Sequence, residues 1–166
     1  MPAYEPIRKS KKVMVVGGGV AGCEAARVLA IRGHRPEVFE KNGCLGGNLI
    51  PGGAPDFKED DLELAKWYET TLKKLDVPVH LHTEVRKEDV EKAEYDAVII
   101  ATGSVPKVFP LGDDAHVYTA AQVLTKEKDC GGSTVVVGGG LVGCETALWL
   151  AQQGKKVTIV EALDKL

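Results

Sequence analysis

The chain has 166 residues, a net charge of −3 and 44% apolar residues. That length suffices for one core, or for one domain plus part of another, and the apolar share is ordinary for a globular protein. The charge gives no support to nucleic-acid or anionic-membrane binding, and no apolar run exceeds the length of residues 97–101, far too short to cross a bilayer.

In chain order, residues 1–11 are basic, carry Pro2 and Pro6 and lack an apolar stretch, so they read as a linker rather than a signal peptide. Residues 12–16 are an apolar run ending in glycines, which predicts a buried strand. Residues 21–32 predict a helix stopped by Gly33. A short second strand is expected at 37–40, and 42–55, rich in Gly and Pro, must be a loop. Residues 60–75 predict an amphipathic helix on Leu62, Ala65, Tyr68, Leu72 and Leu75. Trp67 and Tyr68 are expected to pack there. Residues 79–85 alternate as a half-exposed strand does, which would place His80 and His82 on one solvated face. Another buried strand is expected at 95–101. Residues 102–133 hold several Pro and Gly around a short helix at 119–124.

The sequence then repeats itself. Val13-Met14-Val15-Val16-Gly17-Gly18-Gly19-Val20-Ala21-Gly22-Cys23-Glu24 returns as Thr134-Val135-Val136-Val137-Gly138-Gly139-Gly140-Leu141-Val142-Gly143-Cys144-Glu145. Gly33 matches Gly154, and Glu40 matches Glu161. Each copy reads as strand, glycine turn, helix, strand and terminal acid, the pattern of a dinucleotide-binding βαβ unit. Gly17 permits the tight turn, Gly19 lets backbone approach a pyrophosphate, and Gly22 lets the helix pack on the sheet. Val20 and Ala21 open the helix whose N-terminus would face that anion. Glu40 stands where an acid can accept from an adenosine ribose. Gly138, Gly140, Gly143 and Glu161 repeat these roles, and a carboxylate at Glu161 favours NAD over NADP.

Cys23, Cys44, Cys130 and Cys144 show no CxxC spacing, so neither a zinc site nor a thioredoxin-like dithiol is indicated. Cys23 and Cys144 read as small packing residues. Reduced, cytoplasmic thiols are the default. The expected fold is α/β, a Rossmann-like parallel sheet with flanking helices plus a truncated second βαβ unit. Its parts are a linker at 1–11, an FAD unit at 12–110, a connector at 111–133 and the start of an NAD(P) unit at 134–166. The chain reads as a piece of a longer protein. The uncovered second unit is expected to dock on the first sheet or to pair with another chain as a homo-oligomer, with weak NADH binding at its loop.

The segments VVGGGVAG, FEKNGCLGGN, YDAVIIATGSVP, VVVGGGLVGCE and IVE, in that order, resemble the flavoprotein reductases with two dinucleotide-binding domains. Arg32-Gly33-His34, Leu45-Gly46-Gly47-Asn48 and residues 55–60 are similar to the C-terminal part of the 2-enoate reductase, 2,4-dienoyl-CoA reductase and trimethylamine dehydrogenase group. The resemblance implies FAD at the first copy and NADH at the second. It implies an FMN barrel and an iron–sulfur cluster only in a parent protein, whose remaining domains would be the partners. It places Lys41 near the adenine, Gly47 and Asn48 near the pyrophosphate and ribityl chain, and Val85 at the adenine edge. Ala101, Thr102 and Gly103 fall on the family's ATG turn beside the flavin phosphates, and Glu145 falls near the nicotinamide. Disulfide reductases carry CxxxxC after the LGG turn, whereas Cys44 precedes it here, so a dithiol relay is not expected. The expected function is hydride passage from NADH to FAD, with no catalytic side chain assigned. An ADP-binding module without turnover, or an electron-input subunit of the glutamate synthase type, would share these motifs.

Overall fold

The computed structural model describes residues 7–92, 94–112 and 116–165. The reading of 1–11 as a linker therefore falls mostly outside the described residues, as do three residues of the 111–133 connector. The chain divides into two compact units, Met1–Ile50 with Asp61–Ser104, and Pro51–Asp60 with Val105–Leu166.

The first unit is built on four parallel strands in the order β3-β2-β1-β4: β1 (Lys12–Val16), β2 (Arg35–Phe39), β3 (Val79–His80) and β4 (Ala97–Ile100). Val13 and Val15 of β1 point to one face with Val38 of β2, and all three are buried. Helices α1 (Val20–Ile31) and α3 (Glu59–Lys74) complete that core through Cys23, Ala26, Tyr68 and Leu72. In the chain, the short α2 (Leu49–Gly52) and a 3-10 turn at Asp56–Lys58 precede α3. Ala65, Tyr68 and Leu72 recur at helical spacing on the buried side of α3. Tyr68 packs as expected, whereas Trp67 is half-exposed with the Arg27 guanidinium 5.8 Å from its ring centre.

β2 begins two residues earlier than the sequence suggests. Pro36 cannot donate to a ladder. Val38 and Glu40 send their N–H groups toward β3, so Pro36 faces the same side, where β3 pairs only Val38 and Phe39. The missing donor is thus set where that flank has no partner.

The predicted strand at 79–85 is shorter than its alternation suggests. β3 stops at His80 and His82 takes a positive φ of 53°. His82 N–H and Thr83 N–H instead reach Asn42 O and Glu40 O, at 3.0 and 2.8 Å. Here the alternation continues through a turn at 81–82 whose backbone bonds go to a loop instead of a strand. The two histidines do not share a face: His80 stacks on Phe39 at 4.5 Å, and His82 lies against Gly43. After a short α4 (Lys87–Lys92) the chain enters β4.

The second unit holds α5 (Ala120–Leu124), β5 (Ser133–Val137), α6 (Leu141–Gln152) and β6 (Lys156–Val160). Thr119 and Gln122 form a reciprocal cap at the start of α5. Its core gathers Leu124, Trp149 and Leu150 with Ala54, Cys130 and Val157. Among the described residues β5 pairs only with β6, in a two-stranded parallel sheet. No helix among the described residues is long and apolar enough to cross a membrane.

Candidate functional site

The three glycines after β1 form a turn clamped from several sides. Gly17 has φ +108°, and a Cβ there would collide with Ala101 O. Its N–H donates to Phe39 O at 2.8 Å. Gly18 is buried; its N–H donates to Glu40 Oε2 at 2.7 Å, and its carbonyl accepts from Gly46 N–H at 2.8 Å and from the Cys23 thiol at 3.2 Å. Gly19 is the N-cap of α1, extended and without a side-chain cap. A Cβ at Gly22 would collide with Gly17 O, so helix and turn touch through backbone alone.

Glu40 is 5% exposed. Oε2 takes the Gly18 N–H, and Oε1 takes the Asn42 N–H at 2.7 Å. The sequence points to a ribose acceptor but not to this second task of fixing the glycine turn. A carboxylate has about four lone-pair positions, so two backbone bonds leave room for ribose hydroxyls. Around it, Lys41 is exposed directly after the acid and Val85 follows Thr83, which bonds Glu40 O. Gly47 lies close to Gly19 and leads into Asn48. Ala101 N–H bonds Val16 O at 2.8 Å, which brings Thr102 beside Gly17, with Gly103 next in the chain. The structure thus gathers the first-copy residues at the C-terminal ends of β1, β2 and β4, where open parallel sheets bind ligands.

The second copy repeats this in detail. Gly138 has φ +104° and donates to Val160 O at 2.8 Å. A Cβ at Gly143 would collide with Gly138 O. Gly139 N–H donates to Glu161 Oε2 at 2.6 Å, and Leu163 N–H to Oε1 at 2.9 Å. Cys144 donates to Gly139 O at 3.1 Å. Glu145 is engaged by Lys58, whose Nζ lies 2.9 Å from one carboxylate oxygen and 3.2 Å from the other, a pairing that the sequence does not announce.

The space beside the loops fits a phosphate group. A Cβ on Gly19 would meet only Gly47 Cα, at 3.9 Å, and one on Gly140 would meet nothing within 4 Å. Both helices begin on these glycines without a side-chain cap. Their first N–H groups and positive dipole ends face a cradle that the protein does not fill. Among the described residues no group of three or more His, Cys, Asp or Glu could hold a metal ion.

Several carboxyls sit below the ordinary value of 4.5. Backbone bonds from Gly139 and Leu163 hold Glu161 down, and Arg27 holds Glu24 down. At Glu37, burial pushes upward, but bonds from Tyr95, Lys12 and His80 together outweigh it. Folded pKa values below unfolded ones stabilise above about 4.5, and the gain is lost as pH falls through the folded values. The melting temperature is therefore expected to be flat from pH 7 to 5 and to drop below pH 4.5. Thermal melts across that range check this, and a constant value down to pH 3 contradicts it.

Residues 11–166 match the pyridine nucleotide-disulphide oxidoreductase family. The chain belongs to that family. It is an oxidoreductase domain with the family's Rossmann-like FAD/NAD-binding fold. It is 56% identical over 151 residues to the cinnamate reductase of Clostridium sporogenes, covering 91% of this chain and 23% of that one. It is 38% identical over 163 residues to the bilirubin reductase of Mediterraneibacter gnavus, covering 97% and 25%. The solved 2-naphthoyl-CoA reductase in complex with 2-naphthoyl-CoA superposes with a TM-score of 0.86 at 34% identity, covering 95% of this chain and 24% of that one. The chain spans about a quarter of the length of these relatives. All four of its cysteines are free, and Cys44 is exposed ahead of the Leu45-Gly46-Gly47 turn.

Proposed function

We propose that this chain is the nucleotide-binding module of an NADH-dependent flavoenzyme, with FAD at the first loop and NADH at the second. The carrying observation is the duplicated clamp: in each copy a buried middle glycine gives its N–H to a terminal acid, beside an uncapped helix N-terminus. The difference between the copies supports the assignment. The first loop has a wall, since Gly46 N–H bonds Gly18 O and Gly47 lies against Gly19. Such a wall suits a resident cofactor. The second loop has open space at Gly140, which suits a nucleotide that comes and goes.

In this reading Gly17, Gly19, Val20, Ala21 and Gly22 hold the FAD pyrophosphate, with Gly47 and Asn48 as the wall. Glu40 accepts from the adenosine ribose, Lys41 and Val85 flank the adenine, and Ala101, Thr102 and Gly103 close the phosphate side. Gly138, Gly140, Gly143 and Glu161 hold NADH, and the Glu161 carboxylate would repel a 2′-phosphate. Glu145 reaches the nicotinamide side only on release from Lys58. Held by these residues, the two cofactors would supply hydride transfer from NADH to FAD and onward passage of electrons, chemistry that belongs to the cofactors. In this reading the acceptor lies in the rest of a longer parent protein, which would carry an FMN barrel and an iron–sulfur cluster; that the chain spans about a quarter of the length of its relatives supports such a parent.

A yellow preparation whose flavin spectrum bleaches on anaerobic addition of NADH supports this reading, and a flavin spectrum that NADH leaves unchanged contradicts it. Glu40→Ala is expected to weaken ADP binding by about 1–3 kcal/mol, the usual loss for a charged hydrogen-bond partner. Calorimetric titration of ADP checks this, and equal affinities would remove Glu40 from the site.

A further inference from the structure

We infer that Cys23 and Cys144 are positioning residues for the two nucleotide loops, each thiol fixing the peptide plane that aims the phosphate-facing N–H. This rests on the nucleotide-loop reading above and goes beyond it. The sequence suggests only small packing residues, and packing suffices to explain the burial of Cys23. It does not explain Cys144, which is half-buried and yet donates to the equivalent carbonyl, Gly139 O, at 3.1 Å, against 3.2 Å from Cys23 to Gly18 O.

The geometry gives the bond a task. A peptide unit is planar and trans, so the carbonyl of Gly18 and the N–H of Gly19 point in opposite directions from one rigid plate. Holding Gly18 O toward the helix turns Gly19 N–H away from it. The preceding plate, which carries Gly18 N–H, is held by Glu40. In the second copy Glu161 holds the Gly139 N–H plate, and Cys144 holds the plate that carries Gly140 N–H. Three successive glycines have the greatest backbone freedom of any tripeptide. Without both clamps, binding would have to order the loop at an entropic cost. At Cys23, burial and then the neighbouring Glu40 push the thiol up to about 12, so it remains the donor that this bond requires.

The copies differ in one respect that makes the inference testable. Gly18 O has a second donor, Gly46 N–H, whereas among the described residues the Cys144 thiol is the donor that reaches the buried Gly139 O. The second loop therefore depends more on its thiol than the first. The experiment is calorimetric titration of ADP into the 166-residue chain. A Gly140→Val background reads the first loop, and a Gly19→Val background reads the second. Cys144→Ala is expected to lower ADP affinity at the second loop about three- to ten-fold, Cys144→Ser to recover most of it, and Cys23→Ala to cost about two-fold at the first. The Gly140 amide resonance should shift in Cys144→Ala before ligand is added and return in Cys144→Ser. Unchanged affinity in Cys144→Ala, or equal losses for alanine and serine, would overturn the positioning role and leave the loops as nucleotide sites. Undiminished ADP binding in the Gly19→Val, Gly140→Val double variant, or none in the wild-type chain, would instead overturn the nucleotide reading and this inference with it.

Discussion

Gly19→Val is expected to abolish nucleotide binding at the first loop while leaving the fold in place. Gly19 has φ −75° and ψ −173°, a conformation open to any residue, so valine meets no backbone strain. Its Cβ would lie 3.9 Å from the nearest protein atom, Gly47 Cα, which is ordinary contact. The fold loses only the poorer N-cap of valine, less than about 1 kcal/mol. A bound pyrophosphate would need the volume that the side chain now fills. The expected loss is at least about a hundred-fold in affinity, or ~3 kcal/mol. ADP titration and a thermal melt of the same sample test both halves. Wild-type affinity in a folded variant would mean that the loop is not the phosphate site.

Gly22→Ala should do the opposite, damaging stability first. Its Cβ would collide with Gly17 O and approach Ala101 Cβ at 3.4 Å. The obstacle is backbone at the joint of β1 and α1, so it cannot swing aside as a flexible side chain would. The helix must lift from the sheet that it shares with Val13, Val15 and Val38. Alanine returns about 1 kcal/mol of helix propensity, and the overpacking exceeds it, for a net cost of about 2–3 kcal/mol. For a unit of this size that is a drop of about 10 °C or more in melting temperature. Gly143→Ala meets the same obstacle at Gly138 O and should behave alike in the second unit. A melting temperature for Gly22→Ala equal to wild type would show that α1 does not rest on the turn in this way.

The βαβ grammar was legible because its causes are local. Apolar runs ending in glycine make the strands, and a glycine in the left-handed region leaves a signature at a fixed offset, as at Gly17 and Gly138. The acid at each second strand end is legible from its spacing. Its bonds to Gly18 and Asn42, or to Gly139 and Leu163, are not, because a backbone N–H leaves no trace in residue type. The pairing of Lys58 with Glu145 spans 87 positions, and Ala54 joins the core of the second unit from a similar distance, so neither carries a local signal. The strand at 79–85 failed for another reason. Alternation records which side chains face solvent, not where the backbone bonds go, and at His82 and Thr83 they go to the 40–42 loop.

The most direct measurement is titration of the chain with ADP, FAD and FMN in parallel. The first unit carries the motifs that meet the ADP half of the cofactor, from the glycine turn to Glu40. ADP and FAD are therefore expected to bind with similar affinity, and FMN to bind weakly or not at all. Measurable FMN binding without ADP binding would contradict the assignment of these loops as dinucleotide sites.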